Sequence, residues 1–301
     1  MSTAGARGAP APWRSLDPAS LERAYSPSSC IGGNYQPFVQ AYAQRSAQAQ
    51  ATLPFRTHRY GPGPAQRLDL FLPPGAAGTA LPPLLVFIHG GYWQELGKDQ
   101  SAFAAQDCVQ QRVAHAVIDY TLAPQATLPQ IVAECRQALR WLHGQAGALG
   151  FDADRILVAG SSAGAHLAAM VALPDAGHSG EQGSAGCVHA TVLVSGIFEL
   201  APLLGTSINT ALGLTLPVAQ AMSPTLQPLA GMPPGVVCWG EVETDEFKRQ
   251  GRDFAAALRA AGSPCQAFEV AERNHFDIVL DLARPGTRLG DAVLGLLRGA
   301  R

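Results

Sequence analysis

Short, nearly continuous apolar runs recur along the chain at residues 84–88, 113–120, 156–159, 188–195, 236–239 and 266–270. Runs of this length without polar alternation predict strands covered on both faces. Segments of helical periodicity separate or follow them at 99–112, 128–145, 165–173, 246–261, 274–282 and 288–298, and an earlier one spans 39–51. Pro129 stands where a first helical turn tolerates it. Residues 55–60 and 67–72 alternate apolar with polar, and Gly61-Pro-Gly-Pro64 between them is a turn signal, which predicts a hairpin. Strands alternating with helices predict an α/β fold, a mostly parallel twisted sheet with helices on both faces, the hairpin adding an antiparallel edge.

Two segments break this rhythm. Residues 1–20 are rich in Ala, Pro and Gly and are expected to form a flexible tail ahead of a single domain over 21–301. Residues 196–232 carry Pro202, Pro217, Pro224 and Pro228 among short apolar stretches. They are expected to form a cap of short helices and loops over the site. No internal repeat and no shift of composition marks a second domain boundary.

Composition narrows the function classes. The 301 residues carry a net charge of −2 and no basic run, so no partner among nucleic acids or membranes is expected. The first 20 residues lack the apolar core of a secretory signal, and no stretch is long and apolar enough to span a bilayer. The six cysteines are scattered and form no C-x-x-C pair. Free thiols in a reducing cytosol are expected, with no cofactor and no metal.

The chemistry centres on Arg155-Ile-Leu-Val-Ala-Gly-Ser-Ser-Ala-Gly-Ala-His-Leu167. An apolar strand, a block of small residues and a helical run follow one another, and the G-x-S-x-G within it places Ser162 at a sharp strand-to-helix turn. G-x-S-x-G alone is a weak signal in a chain rich in Gly, Ser and Ala; its context and its partners give it weight. A serine hydroxyl at neutral pH needs a base to take its proton and donors to hold the oxyanion. In the chain order Ser, acid, His, the base is expected after the last strand, where His275 stands. His166 lies one turn along the helix after the elbow, His178 in a Gly-rich loop and His189 at a strand start. The loop Gly240-Glu-Val-Glu-Thr-Asp-Glu246 offers four carboxylates. Glu243 is the preferred acid and Asp245 the alternative, with Glu241 and Glu246 read as solvent-facing or helix N-terminal charges. The oxyanion donors are expected to be the N–H groups of Ala163, Gly90 and Gly91, the last two in a loop that resembles the HGGG-type motif of lipases and esterases. Tyr92 and Trp93 are candidate walls of the substrate pocket, with ordinary core aromatics as the alternative.

Several longer motifs carry a family resemblance. They are His89-Gly-Gly-Tyr-Trp-Gln94 with Lys98-Asp-Gln-Ser101, Asp119-Tyr-Thr-Leu-Ala-Pro124, Ser162-Ala-Gly-Ala-His-Leu167, Glu246-Phe-Lys-Arg-Gln250 and Asn274-His-Phe-Asp-Ile-Val279, with Tyr25-Ser-Pro-Ser28 near the start. Together they resemble the α/β-hydrolase type of kynurenine formamidase, in order over nearly the whole chain. The resemblance implies an α/β-hydrolase fold and a cytosolic, metal-free hydrolase of N-formylkynurenine. It implies a triad of Ser162, Glu243 and His275, the acid lying three residues before Glu246. The animal members carry Asp where Glu243 stands and His where Ser161 stands, and the family also contains esterases of aryl and alkyl esters. The expected partner is a small aryl formamide or ester, and the oligomeric state stays open. A non-catalytic binding relative of the same fold is the reading from another class. It fits poorly, because both Ser162 and His275 are present.

Overall fold

The computed structural model describes residues 12–75, 80–174 and 184–299. The N-terminal part is helical. A 3-10 turn over Pro12–Ser15 precedes α1 (Pro18–Ala24), whose N-cap Asp17 accepts the Ser20 N–H. Another 3-10 turn (Pro27–Ile31) leads to α2 (Gln36–Thr52). Residues 12–20, expected to belong to a flexible tail, are instead held by the Asp17 cap, by Pro18 in the first helical turn, and by Trp13, which packs against the core and donates its indole N–H to Glu199. Residues 1–11 lie outside the described part of the chain.

The sheet follows. Strands β1 (Phe55–Arg59) and β2 (Arg67–Phe71) pair antiparallel as the expected hairpin. Then come β3 (Leu84–Ile88), a short helix α3 (Ala105–Gln110), β4 (Ala114–Ile118), α4 (Leu128–Leu149), β5 (Ile156–Ser161), α5 (Ala163–Ala172) and β6 (Ala190–Val194). The small helices α6 (Asn209–Leu212) and α7 (Leu216–Ala221) precede β7 (Gly235–Val242), α8 (Asp245–Ala260), β8 (Cys265–Asn274) and α9 (Arg288–Gly299). Among the described residues these strands form one eight-stranded sheet in the order β1-β2-β4-β3-β5-β6-β7-β8. It is parallel from β4 to β8 and antiparallel at the β1-β2 and β2-β4 pairings.

The packing explains why the central strands are predominantly apolar. All residues of β3, β4, β5 and β6 are buried, and one buried apolar cluster lies on each face of the sheet. Helices α4, α5 and α8 supply one cluster, and α3 and α9 the other. Two expected helices differ. Residues 99–112 break into 3-10 turns over Lys98–Gln100 and Ala102–Ala104 before α3. Residues 274–282 hold only a 3-10 turn at Ile278–Asp281, because the Asn274 side chain accepts the Phe276 and Asp277 N–H groups and so competes with helical bonding.

Candidate active site

Ser162 sits between the end of β5 and the start of α5 with φ 57° and ψ −121°, a conformation that L-residues rarely adopt. The surrounding backbone enforces it. A Cβ on Gly160 would stand 2.1 Å from Gly164 O, and one on Gly164 would stand 2.0 Å from Ile88 O. The Ser162 N–H donates to Val194 O at 2.8 Å, which fixes the turn against β6. The next residue, Ala163, opens α5, so its N–H has no partner within that helix.

Glu243 and His275 come from neighbouring strands. The β7–β8 register runs Gly240 to Val270 but Val242 to Asn274, so β8 carries extra residues there, with Glu272 at φ 61°. Gly240 is required at this bulge, since a Cβ would stand 2.4 Å from Arg273 O. The bulge brings the residues that follow each strand side by side. His275 Nδ1 lies 2.9 Å from Glu243 Oε2, and both side chains are almost fully buried. The ring is packed edge-on by Phe247, with centroids 4.5 Å apart, and the Asn274–Asp277 turn holds its loop. With Nδ1 engaged by the carboxylate, Nε2 is left as the nitrogen for proton transfer.

The other Glu243 oxygen is also held. Oε1 accepts the Gly240 N–H at 2.6 Å and the Ser195 hydroxyl at 2.5 Å. Ser195 was not visible as a site residue in the sequence: a lone serine at a strand end carries no local signal. The other carboxylates of the loop are placed differently. Asp245 is exposed at the start of α8, and Glu241 is exposed and accepts the Glu272 N–H. Glu246 lies in the first turn of α8, as the helix N-terminal reading expects, but it is buried: it accepts the Tyr25 hydroxyl at 2.8 Å and pairs with Arg249.

Gly90 and Gly91 follow β3 and face the elbow. A Cβ on Gly90 would approach Ser161 O at 2.8 Å and Ser162 Cβ at 3.3 Å, so only glycine lets this backbone come so near. Gly91 has φ 91°, and Tyr92 and Trp93 continue in the left-handed region at 48° and 61°. The loop is braced from below. The His89 ring stacks on Tyr120 at 4.2 Å, and the Tyr120 hydroxyl donates to His89 O. The Ala123 N–H donates to Trp93 O at 2.8 Å. The 119–124 motif thus supports the glycine loop.

Ser162, His275, Gly90 and Gly91 line one cavity of about 340 Å³. Its outer wall differs from expectation. The 196–232 segment contributes Ser207 and Ile208, whereas Glu22, Tyr25, Ser26, Pro27, Ser28, Tyr35, Val39 and Tyr42 come from α1, α2 and the turn between them. Tyr92 lines the cavity and donates its hydroxyl to Tyr25 O. Trp93 does not: the sharp turn at Gly91 swings it inward, where it is fully buried edge-on against His166. The core-aromatic alternative holds for Trp93. His166 is likewise structural, its Nε2 2.7 Å from Met222 O and its pKa lowered to about 4 by burial. His189 lies just before β6, where its Nδ1 accepts the Ile156 N–H, and His178 lies outside the described residues. Among the described residues no group of three or more His, Cys, Asp or Glu is arranged to hold a metal ion.

Residues 68–221 match the BD-FAE family. Kynurenine formamidase of Danio rerio is 30% identical over 281 residues, 90% of this chain and 93% of that one. Esterase LipQ of Mycobacterium tuberculosis is 28% identical, over 80% of this chain and 62% of that one. The carboxylesterase EstE1 from a metagenomic library shares the fold with a TM-score of 0.68 at 23% identity, covering 90% of this chain and 99% of that one. The chain belongs to the kynurenine formamidase and esterase family of α/β-hydrolases, and it is a hydrolase of that class.

Proposed function

We propose that the protein is a serine hydrolase of small aryl formamides, N-formylkynurenine foremost, acting through an acyl-enzyme. The observation that carries this reading is the Glu243–His275 hydrogen bond of 2.9 Å beside a cavity that His275 shares with the elbow serine. His275 takes the Ser162 proton, and Ser162 attacks the formyl carbonyl. The N–H groups of Gly90, Gly91 and Ala163 hold the oxyanion; a donor of this kind is typically worth about 3–4 kcal/mol of barrier. Glu243 fixes the imidazole tautomer and stabilises its charged form. His275 then protonates the departing arylamine and activates the water that frees the formyl group.

The wall of the cavity supports the substrate class. Tyr25, Tyr35, Tyr42 and Phe276 give it an aromatic lining suited to an aryl group, and Glu22 and Glu95 are charge complements of an amino-acid ammonium. The formamidase relatives point the same way. The setting of this reading is the cytosol, where reduced thiols such as the buried Cys108, Cys135 and Cys238 persist. The esterase relatives favour a second reading, a carboxylesterase of short aryl or alkyl esters. The two share the attack and the oxyanion and differ in the leaving group: an arylamine needs protonation, whereas a phenolate leaves unaided. The test is kcat/KM for N-formyl-L-kynurenine beside phenyl and p-nitrophenyl esters. A preference for the formamide of about 100-fold or more is expected. Good ester turnover with negligible formamide turnover would replace the first reading by the second.

A further inference from the structure

We infer that Ser195 is a positioning residue for the catalytic acid, and that this chain uses it to hold a glutamate in register with His275. The inference rests on the triad reading above. Ser195 directly follows β6, is 1% exposed and has φ 50°. A non-glycine residue in that region is costly and persists where its surroundings hold it. Here the hold is visible: the Ser195 N–H donates to Cys238 O at 2.7 Å, and its hydroxyl donates to Glu243 Oε1 at 2.5 Å. The left-handed turn after β6 leaves the hydroxyl beside the end of the neighbouring β7, where the carboxylate lies.

Glu243 has one more rotatable bond than aspartate. Clamping Oε1 between the Ser195 hydroxyl and the Gly240 N–H leaves Oε2 directed at His275 Nδ1. Without the hydroxyl the carboxylate keeps one neutral donor and can rotate away from the imidazole. The loss falls on the proton-transfer steps and leaves the substrate-contacting wall unchanged, because Ser195 is not among the cavity-lining residues.

The experiment is a double-mutant cycle of Ser195→Ala and Glu243→Gln, read as kcat and KM on whichever substrate the enzyme turns over best. Ser195→Ala is expected to lower kcat about tenfold to a hundredfold, the range for a lost hydrogen bond to a charged group, with KM within about twofold. In the Glu243→Gln background it is expected to cost less than about twofold more. Ser195→Gly, which permits the same φ without a side chain, should match Ser195→Ala in kcat; it also carries the test if the alanine variant fails to fold. An unchanged kcat in folded Ser195→Ala or Ser195→Gly, or an equal loss in both backgrounds, overturns the inference. Full turnover by Ser162→Ala would instead overturn the triad reading itself.

Discussion

Ser162 carries backbone strain at the centre of the site, and that strain is measurable apart from catalysis. At φ 57° a side chain costs about 1–3 kcal/mol relative to glycine. Ser162→Gly is therefore expected to unfold at a higher temperature than Ser162→Ala, by about 2 °C or more. Equal or reversed melting temperatures would mean that the elbow is relaxed. Gly164 tests the opposite case. Its Cβ would stand 2.0 Å from the Ile88 carbonyl, a backbone atom that cannot rotate aside. Gly164→Ala is expected to lose about 3 kcal/mol in denaturant unfolding; a loss below about 0.5 kcal/mol would contradict the close approach drawn between α5 and β3. At this scale the candidates Ser162, Glu243, His275, Gly90, Gly91 and Ala163 were legible because chain order and strand–turn–helix context leave marks in one dimension. Ser195 was not, since its link to Glu243 spans 48 positions and depends on a single backbone angle. Trp93 was misplaced because three successive positive φ values turn it inward, and no residue type announces that.

At the scale of elements, the segment from α1 to α2 does more than the sequence pattern suggests. It builds the outer cavity wall, and a buried network fastens it to α8. The Tyr25 hydroxyl donates to Glu246 and accepts from Gln250, whose side-chain oxygen receives the Phe198 and Glu199 N–H groups. Arg249 ties Glu246 to Glu199, and the Thr244 hydroxyl donates to Ala24 O. The Tyr25-Ser-Pro-Ser28 and Glu246-Phe-Lys-Arg-Gln250 motifs, distant in sequence, are two halves of this one contact. Burial beside Glu246 pushes the Tyr25 hydroxyl far above its ordinary pKa, so it stays a donor at all working pH values. Tyr25→Phe is expected to cost about 1.5–3 kcal/mol and to raise KM more than it lowers kcat; thermal unfolding with steady-state kinetics checks both. A variant with unaltered stability and KM would show that the wall stands without the network. The cap expected at 196–232 was legible only as irregularity. Periodicity finds strands and helices, but it does not say which irregular segment lies over a sheet end.

For the whole molecule, the strand–helix alternation carried most of the architecture, because a parallel sheet covered on both faces needs apolar strands and amphipathic helices in turn. The same burial makes the fold sensitive to acid. His115 and His166 are fully buried and neutral, and each has its pKa lowered to about 4, chiefly by burial. A histidine whose folded pKa lies below its unfolded value contributes stability above about pH 6.5 and loses it as pH falls toward 4. The loss amounts to roughly 3 kcal/mol per histidine at the bottom of that window. His166→Gln is expected to flatten stability between pH 6.5 and 4 in denaturant unfolding. An unchanged slope would mean that His166 is protonated without penalty.

The central claim, that Ser162 is the nucleophile of a His275–Glu243 relay, is tested most directly by intact-protein and peptide mass spectrometry after treatment with a fluorophosphonate. One phosphonyl adduct on the Ser162 peptide is expected in the wild-type protein, much slower labelling in His275→Ala, and none in Ser162→Ala. No adduct on the wild-type protein, or an adduct that persists in Ser162→Ala, would contradict it.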